Sequence, residues 1–261
     1  MNIKNNLKLL QKLVPNMWLY QIQYIHSSLV FWWILRWISK PLGLSNKSVI
    51  VFSPHQDDET FGCGGMIATK REQDIQVIVV FLTDGRGSGS SELHFQEKIA
   101  QIRKQEAVTA LQILGVDASE IHFLEKPDGT LQDLENEERQ QTIEQVVELL
   151  KYYEPGEVYV PHRKDCHKDH EATYQLVKEA IAQAEITVEL LQYPIWLFWR
   201  APLFILLKLQ DIAAAYHFSI TSVQEKKKQA IASYPSQTQS LPCGFVKRFL
   251  GTNEIFFKAE S

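Results

Sequence analysis

Two short polar runs hold the residues that could do chemistry: Pro54-His55-Gln56-Asp57-Asp58-Glu59 and Asp165-Cys166-His167-Lys168-Asp169-His170. His55 and Asp58 stand three residues apart, a spacing at which both side chains on a tight turn reach one ion. Zinc accepts imidazole nitrogen and carboxylate oxygen in a tetrahedral set. A catalytic zinc keeps three protein ligands and leaves one position for water, so a third ligand must come from elsewhere. The second run offers His167 and His170, again three apart. Asp57, adjacent to Asp58, is placed to accept a proton from a water activated beside the ion. A single His-Asp pair at a helix start is more often a cap. Two such runs, each after its own strand, favour a metal site.

The elements that position these runs follow from hydrophobic patterning. Short Val- and Ile-rich segments predict strands at 49–53, 75–82, 121–124, 157–160 and 186–191, with helices at 62–73, 92–114, 135–152 and 169–184. This β-α alternation predicts an open, mostly parallel sheet covered by helices on both faces. In such sheets ligands gather at the carboxyl ends of the strands, where both polar runs fall. Gly115, after the apolar spacing of the second helix, reads as its left-handed cap. Beyond Pro194 lies an apolar aromatic stretch, then a predicted strand at 214–221 and a basic helix at 222–234. Residues 235–261 have weak periodicity and are left unassigned.

Two rival readings are set aside. Gly62, Gly64 and Gly65 lack the lysine and the spacing of a phosphate-binding loop and read as room for helix and sheet to approach closely. Cys166 beside His167 is not read as a nucleophile pair, because sequence neighbours seldom face each other and a thiol mechanism leaves His55, Asp57 and Asp58 idle.

The two runs resemble the paired signatures of the PIG-L/LmbE-like zinc-dependent N-acetylglucosaminyl deacetylases. The resemblance extends over most of residues 48–240, through Thr83-Asp84-Gly85, Arg103-x-x-Glu106-Ala107 with Leu114-Gly115, Asp128-Gly129, and Lys228 to Gln237. It implies a Rossmann-like three-layer α/β fold. It also implies hydrolysis of the N-acetyl group of an N-acetylglucosamine-type sugar, lipid-linked or in another glycoconjugate, to acetate and a free amine. Carried over by motif, it implies His55, Asp58 and His170 as ligands of one Zn2+, with Fe2+ as the other candidate, and Asp57 as general base. His167 would stabilise the oxyanion or protonate the leaving amine, and Asp169 would orient and charge His167. Gln56 departs from the more usual proline. Arg86 stands where many members have Glu, in a loop that lines their sugar pocket, and is a candidate substrate contact. The alternatives are another metallo-hydrolase, acting on a phosphoester or peptide, and a non-catalytic membrane-associated glycan-binding protein.

Of 261 residues, 45% are apolar and 22% charged, which suits one sizeable α/β domain and excludes a disordered chain. The net charge of -4 is unevenly spread. The first 56 residues hold Lys4, Lys8, Lys12, Arg36, Lys40 and Lys47 and no Asp or Glu, leaving -10 on the rest. All six tryptophans fall at 18, 32, 33, 37, 196 and 199. Tryptophan favours the headgroup boundary of a bilayer. Neither aromatic segment is long and apolar enough to span one. The reading is an apolar, basic helical arm over 1–45 that lies on an anionic membrane surface, a deacetylase domain over 46–240 and a tail over 241–261. Nucleic acid is a poorer partner, because the charges are sparse among Leu, Ile and Trp. Three cysteines without a C-x-x-C pair suggest a reducing compartment, and no cleavage site follows a short apolar core. A cytoplasmic protein, peripheral on the inner face of the membrane, is the expectation.

Overall fold

Val49–Ser53 (β2) and Val77–Thr83 (β3) are buried at every position, as are the residues of Glu157–Pro161 (β5). Strands buried on both faces read as unbroken apolar runs, because helices cover each side of a parallel sheet. Alternate residues point to opposite faces. Val49, Val51, Val77, Val79 and Phe81 pack in one core with Met66 and Ile67 of α2 (Asp58–Arg71), Leu111 and Leu114 of α3 (Leu93–Leu114) and Ile231 of α6 (Gln224–Ala232). Ile50, Phe52, Ile78, Val80 and Leu82 pack in the other, with Ile143 and Val146 of α4 (Asn136–Tyr153) and Leu176 and Val177 of α5 (Lys168–Ala184). The result is a three-layer α/β fold. The computed structural model describes residues 15–87, 93–203 and 205–259. Lys4, Lys8 and Lys12 of the arm lie outside them.

The sheet has eight strands in the order β1-β7-β8-β6-β5-β2-β3-β4, adding β1 (Lys40–Pro41), β4 (Ile121–Lys126), β6 (Glu189–Tyr193), β7 (Ala215–Ser219) and β8 (Asn253–Lys258). All pairs are parallel except those of β8 with β6 and β7. From β2 the chain moves outward to β3 and β4, then crosses back to β5 on the other side of β2. That reversal opens a crevice at the carboxyl ends of β2 and β5, where such folds place ligands.

The glycine-rich start of α2 is needed for close approach, as the sequence suggests. A Cβ on Gly62 would come within 2.3 Å of the Tyr193 ring, and one on Gly65 within 2.3 Å of Ile220. Gly115 takes φ +92, with Val116 N–H donating to Leu111 O, so it ends α3 as a left-handed cap.

Two sequence readings are corrected. The end of the chain is not a tail: β8 lies inside the sheet, and its Glu254 accepts N–H groups from Gly65 and Met66 at 2.7 and 2.8 Å. Glu254 also pairs with buried Lys227 of α6 at 2.6 Å, and Lys227 donates to Phe61 O. The β8 run Ile255-Phe256-Phe257 was too short and too far from its partners to declare itself by periodicity. The apolar stretch after Pro194 is core, with Trp199 buried and Trp196 stacked 4.3 Å from Phe245. Its short helical turn Leu197–Arg200 packs against the buried side of α1 (Asn16–Trp33), through Val30, Ile34, Leu197 and Phe198. Among the described residues no helix is long and apolar enough to cross a membrane. Because Phe256 is fully buried in the strand that joins the two parts of the sheet, Phe256→Ala should cost about 3–5 kcal/mol in chemical denaturation.

Candidate metal centre

The loop after β2 is tied down before it delivers His55. Thr83 donates both its N–H and its hydroxyl to Pro54 O, and Ser53 Oγ donates to His55 O at 2.8 Å. Gln56, in place of proline, donates from Nε2 to Thr83 O at 2.7 Å and so ties the β2 and β3 loops together. Asp57 then takes φ 145, ψ -30, a region non-glycine residues avoid, at the N-cap of α2. Such a conformation costs on the order of 1–3 kcal/mol and persists only where the surroundings enforce it. Here Glu59 Oε2 accepts the Asp57 N–H at 3.1 Å, while the other Glu59 oxygen is held by Thr60 and Tyr234.

The structure brings His55, Asp58 and His170 together. One Asp58 oxygen, Oδ2, is 3.0 Å from His55 Nδ1 and 3.1 Å from His170 Nε2. Each imidazole is held from behind by carboxylate. His55 Nε2 meets Asp128 Oδ1 and Asp169 Oδ2, both at 3.1 Å, and His170 Nδ1 meets Asp165 Oδ2 at 2.7 Å. A carboxylate on the outer nitrogen fixes the ring and raises the basicity of the inner one, the arrangement found around protein-bound metals. His170 Nε2 is buried and lacks an aligned hydrogen-bond partner despite the nearby Asp58 oxygen. Two nitrogens and an anionic oxygen facing one another in this way fit a divalent ion.

His167 joins the cluster, its ring 4.7 Å from His170 and 5.0 Å from His55. Nitrogens of the three histidines lie within 4.8 Å of one another, so His167 is a second possible donor. His55, Asp128 and Asp169 form a second such group, and Asp58 adds an anionic oxygen within 3.1 Å of both the His55 and the His170 rings.

Protonation follows the same charges. Burial, then neighbouring Asp58, pushes Asp57 up to about 8, against the pull of the Arg103 guanidinium 3.8 Å away. Burial alone would push His170 down, but Asp58 and Asp165 outweigh it and hold it at about 9. Burial works against charge on His55 too and is overcome by Asp128, Asp169 and Asp58. Without a metal, the carboxylates therefore draw protons onto both imidazoles. His167 behaves oppositely: burial, then the positive His170 and His55, push it down to about 4.

Asp169 acts on His167 through its charge, which raises that ring against the larger effect of burial. The carboxylate of Asp169 is occupied elsewhere, with His55 and with the N–H groups of Gly129 (2.8 Å) and Leu131 (3.2 Å). It anchors the loop after β4 to the metal cluster, and His167 is neutral at rest. Arg86 is not in the cluster. It pairs with Asp84 and lines a cleft of about 210 Å³ with Gln56, Lys104, Phe123 and Glu125.

Three site residues had been quoted only within sequence patterns. Arg103, buried on α3, donates to Gly85 O at 2.8 Å and stands 3.8 Å from both Asp57 and Asp128. Asp128 backs His55. Asp165 is fully buried and accepts N–H from Ile195, Trp196 and Leu197 as well as bonding His170. Asp165 opens the second polar run itself, whereas for Arg103 and Asp128 the resembling segments were the available signal.

The profile of the family described as PIG-L, GlcNAc-PI de-N-acetylase, matches residues 50–181, just over half of the chain. The probable N-acetyl-alpha-D-glucosaminyl L-malate deacetylase 2 of Bacillus subtilis (strain 168) is 30% identical over 138 residues, 52% of this chain and 61% of that protein. The chain thus spans about three fifths of that relative's length. Diacetylchitobiose deacetylase of Thermococcus kodakarensis is 28% identical over 204 residues, 73% of this chain and 70% of that one. Among solved structures, the N,N'-diacetylchitobiose deacetylase from Pyrococcus horikoshii superposes with a TM-score of 0.62 at 22% identity, covering 82% of this chain and 84% of the other, a likeness of fold. With the matched segment running from β2 through most of α5, and so containing both metal runs, the chain belongs to the GlcNAc-PI de-N-acetylase (PIG-L) family.

Proposed function

We propose that this protein is a zinc-dependent N-deacetylase that hydrolyses the acetamide of an N-acetylglucosamine-type sugar, carried on a lipid or another membrane-associated glycoconjugate. The observation that carries the reading is the pair of carboxylate-backed imidazoles converging on Asp58, with Asp57 beside them on an enforced backbone. His55, Asp58 and His170 would hold the ion; Fe2+ suits the same donors. A bound divalent ion supplies Lewis-acid polarisation of an acetyl carbonyl and of a water.

The chain's own residues do the rest. Asp57 is placed to accept a water proton and pass it to the leaving nitrogen. Burial and Asp58 raise its carboxyl, and a dication beside Asp58 would lower it again toward the range of a base at neutral pH. Arg103 and the Glu59 contact hold Asp57 in place. His167, neutral at rest and next to the ligand imidazoles, is positioned to donate a hydrogen bond to the carbonyl oxygen as negative charge develops there. Similarity to the N-acetylglucosaminyl-malate and diacetylchitobiose deacetylases supports an acetamido sugar as the substrate class. A cytoplasmic protein at the inner membrane face is consistent with the basic arm.

Alanine at His55, Asp58 or His170 should each lower zinc content sharply, measured by elemental analysis of folded protein. Full occupancy in all three would remove this site. Since His170 sits at about 9 without metal, binding must displace its proton. Zinc affinity should therefore rise with pH up to about 9, and calorimetry in buffers of different ionisation heat should register proton release. Asp57→Asn should keep zinc and lose roughly a hundredfold or more in turnover, read as acetate released from an N-acetylglucosamine glycoside. Near-normal turnover would assign the proton transfer to another group.

A further inference from the structure

Among the described residues, nothing covers the outward face of α1. Eight of the thirteen large apolar side chains exposed among the described residues lie between Met17 and Trp37. Trp18, Ile22, Ile25, Leu29 and Trp32 follow one another at steps of four, three, four and three, and are 54% to 62% exposed. That spacing is a single stripe along one side of a helix. The opposite side is bound to the domain. Val30 and Ile34 are buried, the Phe31 ring meets Phe198 edge-on, and His26 links Phe198 O and Leu203 N through its two nitrogens.

We propose that this stripe is a docking face for an anionic lipid bilayer, into which α1 settles lengthwise. A helix held along its inner side can offer only its outer side, so it lies in the interface and does not insert end-on. Two observations favour lipid over a second copy of the chain. A helix pair with this seam would set its register by opposite charges on the flanking positions. From Asn16 to Leu35 there is no charged residue, and no acidic one occurs in the first 56 residues. The charges that do flank the stripe are cations, Arg36 and Lys40, both exposed, with Arg36 4.7 Å over the Trp37 ring. Tryptophan at both ends of a stripe, with cations beside one of them, matches the composition of a headgroup boundary.

Placement adds a reason. The turn that α1 packs on, Leu197–Arg200, follows the carboxyl end of β6, and its leading N–H groups are held by Asp165, which also bonds the ring of His170. The arm and the metal centre therefore occupy the same end of the sheet. The benefit of this for a lipid-borne sugar rests on the proposed deacetylation; the docking itself does not.

The test is flotation of the whole chain with vesicles of phosphatidylcholine alone and of phosphatidylcholine mixed with phosphatidylglycerol. The protein should float with the mixed vesicles, and brominated lipid should quench its tryptophan fluorescence. Trp18→Ser/Ile22→Ser/Trp32→Ser should bind at least about tenfold less, with its melting temperature retained because those side chains are already exposed. Arg36→Glu should weaken binding a few-fold to mixed vesicles only. Equal flotation of the wild type and the triple variant, or no flotation of the wild type, would overturn the proposal. So would a concentration-dependent dimer in sedimentation that the triple variant abolishes while vesicles bind neither protein. Zinc content read on the same samples keeps the outcomes separate, since a protein that docks but holds no metal strikes the catalytic reading alone.

Discussion

Five carboxylates, those of Asp57, Asp58, Asp128, Asp165 and Asp169, converge at the crevice between β2 and β5, and Asp165 and Asp169 are wholly out of water. A carboxylate so buried costs several kcal/mol unless it is answered by positive charge or donors. The surrounding structure is largely that answer. Asp58 faces two imidazoles, Asp128 and Asp169 share the far side of His55, Arg103 faces Asp57 and Asp128, and Asp165 takes three backbone N–H groups and His170. One consequence is a centre that attracts cations, protons when no metal is there and a dication when one is. Another is that the loops after β2, β4, β5 and β6 are tied together, because each either carries one of these carboxylates or, like the loop after β6, supplies N–H groups to one.

The same coupling reaches past the centre. Asp165 grips the start of the Leu197–Arg200 turn, and α1 lies on that turn's apolar face. On the other side of the sheet, Glu254 reaches into α2 and is neutralised by Lys227, so the last strand supports the helix that begins at Asp58. Both links are buried ion or hydrogen-bond networks whose loss of one member leaves an unpaired charge. Such networks favour one arrangement of the elements strongly, since partial satisfaction is worse than none.

The three-layer fold was legible because its signals are local. Unbroken Val and Ile runs mark doubly covered parallel strands, and the apolar spacing of α3 ends at a glycine that takes the left-handed conformation. The β8 strand was not legible. Its buried run is only four residues long, and it is held by filling the gap between β6 and β7 in antiparallel sense. The tryptophans divided for a similar reason. Composition treats Trp196, Trp199, Trp18 and Trp32 alike, yet packing buries Trp199, half-buries Trp196 and leaves Trp18 and Trp32 exposed.

For the site, residue types and spacing placed His55, Asp57, Asp58, His167 and His170 in two short runs beside strand ends, and the fold brings those runs together. Tertiary structure decided which carboxylate serves which ring. Asp169 is two residues from His167 in the chain, but helix geometry turns it toward His55 and the Gly129 loop, and Asp165 turns to His170. Arg103 and Asp128 come from elements 48 and 73 residues beyond His55 and enter only when α3 and β4 are packed against β3. Ligation is a short-range property that a few neighbouring residues can encode. The charge around the ligands is a long-range one, set by burial and by which loops the sheet order brings to the same crevice.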